Sequence, residues 1–171
     1  MKRALVFFCF SFIGSVVHAD DMALKVFKSV CLSDFSDVSN IEKSMQKLVP
    51  GMTLKSGSTE TRKSGSVTFD NGEMIMLDYD SSEDFCMVSA TLKEYTKLSK
   101  NRFEKLLNGH PNPKRKPRTI ESNDHTILSF PYVLNEKPVE YTAGYGHKPL
   151  VTRDGSRLYM VNYAFRHKAS F

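Results

Sequence analysis

The chain has 171 residues, with 24 Lys and Arg against 19 Asp and Glu and a formal net charge of +5. That length accommodates one domain with a sizeable core. Beyond residue 19 no stretch of 18 or more apolar residues occurs, which excludes a further membrane-crossing helix.

The opening stretch MKRALVFFCFSFIGSVVHA sets Lys2 and Arg3 before an apolar run from Ala4 to Val17, and closes on Val17-His18-Ala19. A basic start, a short apolar run and a small residue at the junction predict a signal peptide over 1–19 and a single exported domain over 20–171. The run is short for a bilayer span. No small-residue lipobox surrounds Cys9, which argues against a lipid-anchored terminus. Such a domain is periplasmic or secreted. Loss of Lys2 and Arg3 leaves 22 basic residues against 19 acidic ones, a net of +3, and leaves two cysteines, Cys31 and Cys86. In an oxidising compartment two cysteines of one small domain pair.

Residues 21–32 carry Ala23, Val26, Phe27, Val30 and Cys31 at helical spacing, and 37–48 repeat the pattern with Val38, Ile41, Met45 and Leu48. Pro50-Gly51 stops the second helix. Residues 55–66 are polar and rich in Gly and Ser, as in a mobile loop. Strands follow at 66–69 and 73–79, joined by Asp70-Asn71-Gly72, whose Asn-Gly pair predicts a hairpin with two positive-φ positions. A third strand occupies 84–92, with Cys86 and Val88 pointing inward. Residues 93–108 read as a helix ended by Gly109. The segment 110–118 holds three prolines and no regular structure. Strands are expected at 126–134, 138–147 and 156–165. Pro131 marks the first of these as an edge or bulged strand. The last is apolar on both alternating sets and reads as central. The order is α-α-βββ-α-βββ. It predicts an α+β fold: an antiparallel sheet of about six strands with helices packed on one face. The repeated helix-plus-three-strands pattern raises a duplication as a hypothesis.

Before Cys86, Asp78, Asp80, Glu83 and Asp84 form an acidic cluster. Against an EF-hand loop starting at Asp78, Glu83 stands where Gly is required and Ser89 where a bidentate Glu is required. The cluster therefore reads as a solvated turn, with no metal and no cofactor implied. Carboxylates also raise a neighbouring thiol's pKa, contrary to what a nucleophilic cysteine needs. A bridge to Cys31 fits best.

His110, His125, His147 and His167 are scattered and form no metal-binding spacing. There is no nucleophile elbow. Ser44-Met45-Gln46-Lys47, Ser122-Asn123-Asp124 and Lys63-Ser64-Gly65 resemble the three motifs of penicillin-binding enzymes, but in the wrong order and in too short a chain. The aromatic C-terminus, Phe171, suggests an outer-membrane barrel strand, which the helical stretches contradict.

Charge is segregated. Residues 70–84 hold six acidic and no basic residues, whereas 93–118 hold nine Lys and Arg against Glu94 and Glu104. Lys93, Lys97 and Lys100 are spaced to share a helix face, continued by Lys114, Arg115, Lys116 and Arg118 in the proline-rich segment. This predicts an exposed positive surface for an anionic partner. Export points to an anionic envelope surface or an acidic protein rather than nucleic acid.

Val26-Phe27…Cys31 and Cys86-Met87-Val88 resemble the "VFxxxC" and "C-x-V" segments of small exported bacterial proteins of unknown function. That resemblance, confined to the first half, implies a paired-cysteine domain and no activity. The leading expectation is an exported, non-enzymatic binding or inhibitory module of the bacterial envelope. The alternative is a small envelope hydrolase.

Overall fold

A computed structural model describes residues 19–32, 38–94, 98–108, 118–134 and 137–167. Residues 1–18 of the signal peptide expected over 1–19, and the expectations for Lys97, Lys114, Arg115 and Lys116, lie outside the described residues. Helix α1 spans Ala19–Val26 and runs into one π-helical turn, Phe27–Cys31, closed by the Leu32 N–H donating to the Phe27 carbonyl at 3.1 Å. Helix α2 spans Val38–Leu48 and α3 spans Leu98–Asn108. The described residues also form nine strands: β1 Lys55–Ser56, β2 Arg62–Thr68, β3 Met74–Asp80, β4 Phe85–Leu92, β5 Arg118–Glu121, β6 His125–Leu134, β7 Lys137–Gly146, β8 Leu150–Val151 and β9 Arg157–His167.

The strands form one antiparallel sheet in the order β1-β2-β3-β4-β9-β7-β6-β5, with β8 paired to β9. The α+β class and the antiparallel sheet agree with the sequence; the count and order of strands do not. All six expected strands are present. The three additions, β1, β5 and β8, have two to four residues each and are exposed at every position, so they carry no alternation to detect. The expected loop 55–66 thus contains β1 and the first half of β2. Nor do the halves match: β1 to β4 follow in sequence order, whereas β9 enters between β4 and β7.

The register explains the core. Tyr79 faces Cys86, Cys86 faces Phe165 and Phe165 faces Tyr141, so one face of the sheet presents a continuous buried row across four strands. Parallel rows carry Leu77, Val88, Tyr163 and Ala143, then Ile75, Ala90, Val161 and Tyr145. Helices cover this face through Ala23, Val26, Phe27, Val30, Ile41, Met45, Phe103 and Leu107, all buried. Tyr163 is the centre of an aromatic group, stacked on Phe103 at 5.2 Å and tilted against Phe27 at 6.1 Å. As its two-sided apolar pattern predicts, β9 is central. Gly65 lets the 51–54 segment pass close beside β2: a Cβ there would come within 2.6 Å of the Thr53 carbonyl oxygen.

Cys31 and Cys86 are bonded, with Cα atoms 5.4 Å apart. The bridge fixes the π-turn to the middle of the sheet. Pro131 is not on an edge strand, because β5 lies outside β6. The described part of β5 begins at Arg118, opposite Ser129, and Pro131 lies opposite Glu140 of β7. In the β2–β3 connection Gly72 alone takes positive φ; Asn71 instead accepts the Glu73 N–H at its side-chain oxygen. The connection therefore runs over 69–73 rather than Asp70-Asn71-Gly72 alone, closed by the Phe69 N–H donating to the Glu73 carbonyl.

Candidate functional site

The acidic cluster before Cys86 is less solvated than its composition suggests. Asp78 lies within β3 and accepts a bidentate pair from Arg62, at 3.1 and 2.7 Å. Asp80 is only 7% exposed and accepts both the N–H and the hydroxyl of Ser82. These bonds, the Ser82 hydroxyl first, hold its carboxyl below the usual range. Glu83 is exposed, and Asp84 takes positive φ at the turn's end. Among the described residues no group of three or more His, Cys, Asp or Glu is placed to hold a metal ion.

A Ser–His contact does occur. Ser122 Oγ lies 3.1 Å from His125 Nδ1. The same oxygen accepts the main-chain N–H groups of Asp124 and His125 and is placed to donate to the His125 carbonyl. It is thus the cap of a tight, exposed β5–β6 turn, without the walls that would exclude water from a nucleophile. Nearby, Thr126 Oγ1 is 2.7 Å from His147 Nε2, and Lys148 pairs with Asp124, whose carboxyl it holds low. Tyr79 has a buried hydroxyl with no hydrogen-bond partner among the described residues. Burial pushes its pKa up to about 12, with the Glu42 charge adding to the effect, so it stays neutral.

Among the described residues, two concavities stand out on the surface. One, of about 640 Å³, runs over the outer face of the sheet between Ser64, Ser66, Met76, Asp78, Met87 and Ser89. Its one acid, Asp78, is already paired to Arg62. The other, of about 850 Å³, lies at one end of the sheet, where the β2–β3 loop, the end of β4 and the β8–β9 turn meet. Lys93, Arg153 and Arg157 line it, with Asp70 and Asp154.

The second concavity has a rigid wall. Asp154 accepts the Ser156 N–H and hydroxyl and the Thr152 hydroxyl, Gly155 takes positive φ, and the Thr152 N–H closes on the Ser156 carbonyl. The Thr152 hydroxyl, then the Ser156 groups, hold the Asp154 carboxyl below its ordinary value. Beside this turn Leu150 is 50% and Val151 69% exposed, two of the three large apolar side chains left in solvent among the described residues. The third is Ile120 on β5.

Of the residues of the expected basic surface, Lys93 and Arg118 are the two whose side chains are among those described. Lys93 is not helical: it follows β4 and is exposed at the rim of the second concavity, whereas the described part of α3 is Leu98–Asn108. Lys100 falls in the first turn of α3, and its side chain lies outside the described residues. Arg118 is exposed on β5, four strand steps from β4, about 19 Å across the sheet. Sequence reasoning missed Arg153 and Arg157 because no local run of charge marks them. The pairing of β4 with β9 brings them to Lys93. No protein-family model, curated protein or solved structure matches this chain.

Proposed function

We propose that this chain is an exported, non-enzymatic binding module that docks on an anionic surface through the rim formed by Lys93, Arg153 and Arg157. The observation that carries this reading is the juxtaposition of those three cations with the exposed apolar pair Leu150 and Val151 of β8, beside a pre-formed turn. An apolar pair flanked by cations fits the boundary between anionic headgroups and acyl chains better than the face of an acidic protein. A disulfide between Cys31 and Cys86 supports an oxidising location.

Magnitudes set the expected strength. Each cation near an anionic membrane contributes about 1 kcal/mol. Covering the exposed parts of Leu150 and Val151 adds about 2 kcal/mol together. Asp70 and Asp154 of the same concavity offset part of the charge contribution, so the sum lies between about 3 and about 5 kcal/mol, corresponding to binding in the millimolar to sub-millimolar range, reversible and salt-sensitive.

The hydrolase alternative has the Ser122–His125 contact as its only specific support, and that hydroxyl is engaged in its own turn. Retention of the protein on an anionic matrix, at low and at high salt, tests the reading. The Arg153→Ser/Arg157→Ser variant is expected to elute early; unchanged elution against a Lys43→Ser/Lys47→Ser control on α2 overturns it.

A further inference from the structure

Glu73, immediately before β3, is 4% exposed. Its Oε2 accepts the Ala19 N–H at 3.1 Å and its Oε1 accepts the Lys93 N–H at 3.2 Å. Among the described residues no Lys, Arg or His side chain pairs with it. A carboxylate so enclosed is costly unless a positive charge offsets it, and two neutral amides do so only in part.

The donor at Oε2 belongs to the residue where the sequence places the leader junction. The next two residues are fixed separately. Asp20, 5% exposed, accepts the Tyr163 hydroxyl at 2.6 Å, and Asp21 pairs with Arg102 of α3. The first turn of α1 is therefore held to β3, β9 and α3 by three consecutive residues.

We propose that Glu73 is the receptor for the α-ammonium group released when the leader is removed at the Ala19–Asp20 bond. Hydrolysis by an export peptidase adds one water across that peptide bond. Ala19 leaves with the new carboxylate, and Asp20 keeps the amine, which is protonated at neutral pH because its ordinary pKa is about 7.7–8.0. The free N–H groups of a helix's first turn point the same way, so the Asp20 amine lies one residue from the Ala19 nitrogen that Glu73 now binds. The Tyr163 bond holds Asp20 there, and the space vacated by Ala19 admits the approach of the carboxylate. Processing thus converts an amide–carboxylate bond into an ion pair at the positive end of α1, where a carboxylate is favoured. The ion pair secures the end of β4 that carries Lys93. This inference rests on the leader junction and is independent of the binding reading.

The test is made on protein exported to the periplasm and purified from it. Intact mass is expected to place the N-terminus at Asp20; an uncleaved leader or a terminus beyond Asp21 overturns the proposal. A Gly-Ser-Gly extension before Asp20 displaces the amine by about 10 Å. It is expected to lower Tm by roughly 5 °C when residue 73 is Glu. In the Glu73→Gln background the same extension should cost at most roughly 1 °C. Equal losses in both backgrounds, or none in either, overturn the proposal. Should Glu73→Gln not fold, acylation of the wild-type α-amine at pH 7 decides: strong protection relative to the denatured chain supports the ion pair, and equal rates contradict it.

Discussion

Two buried tyrosines show how the same atom has opposite effects in different surroundings. Tyr163 donates its hydroxyl to Asp20 at 2.6 Å, whereas the Tyr79 hydroxyl is buried without a partner among the described residues. Removing a donor from a buried carboxylate costs about 1.5–3 kcal/mol, while deleting an unsatisfied hydroxyl is near neutral or favourable. Tyr163→Phe is therefore expected to lower stability by about 2 kcal/mol, and Tyr79→Phe to leave it unchanged or raise it by up to about 1 kcal/mol, in urea unfolding. A large loss in Tyr79→Phe would reveal a partner for that hydroxyl. Neither role is legible from sequence, since Tyr79 and Tyr163 both sit at inward positions of alternating strands. The difference arises only when α1 lays Asp20 over β9.

The disulfide and the β8–β9 turn can be probed as elements. Cys31 and Cys86 are separated by 55 residues, and both are buried. A loop of that length gives about 4 kcal/mol in the chain-entropy account. Replacing both cysteines by serine is expected to lower unfolding free energy by about that amount; a loss under about 1 kcal/mol would show that the π-turn is held by packing alone. The Asp154 carboxyl, which organises the β8–β9 turn, has its pKa lowered by the Thr152 and Ser156 hydrogen bonds. A lowered folded pKa means that the contribution is complete above the ordinary carboxyl value near 4 and is lost as pH falls through the folded value. The Ser156 amide, whose N–H donates to Asp154, is expected to lose its exchange protection below about pH 4, ahead of the β9 amides. Simultaneous loss across β9 would show that the turn has no separate stability.

The whole molecule shows which levels of organisation a single sequence encodes locally. Alternation marked β2, β3, β4, β6, β7 and β9, because half-buried strands must alternate. The bridge followed from the cysteine count and from the inward positions of Cys31 and Cys86. The outer strands β1, β5 and β8 left no pattern, since all their residues are exposed. The candidate rim was illegible for a different reason. The sequence pattern places Lys93 in the helix that follows it, and no run of charge marks Arg153 or Arg157. Only the entry of β9 beside β4 places the three together. The basic proline-rich segment attracted attention through charge density alone, while Arg118, its described end, lies on the far edge of the sheet.

Cosedimentation of the protein with vesicles tests the central claim most directly, comparing phosphatidylglycerol-containing vesicles with vesicles of phosphatidylcholine alone. The wild type should bind the anionic vesicles at low salt and be released as the Debye length shortens from about 10 Å at 0.1 M to about 3 Å at 1 M salt. Arg153→Ser/Arg157→Ser and Leu150→Ser/Val151→Ser should each reduce binding at least about fivefold, about 1 kcal/mol or more. A variant with Lys114, Arg115, Lys116 and Arg118 all changed to Ser should bind nearly as the wild type does. Loss of binding in that last variant, with the Arg153 and Arg157 variant unaffected, would contradict the rim and assign the contact to the proline-rich segment. Equal binding to neutral vesicles would contradict docking on an anionic surface altogether.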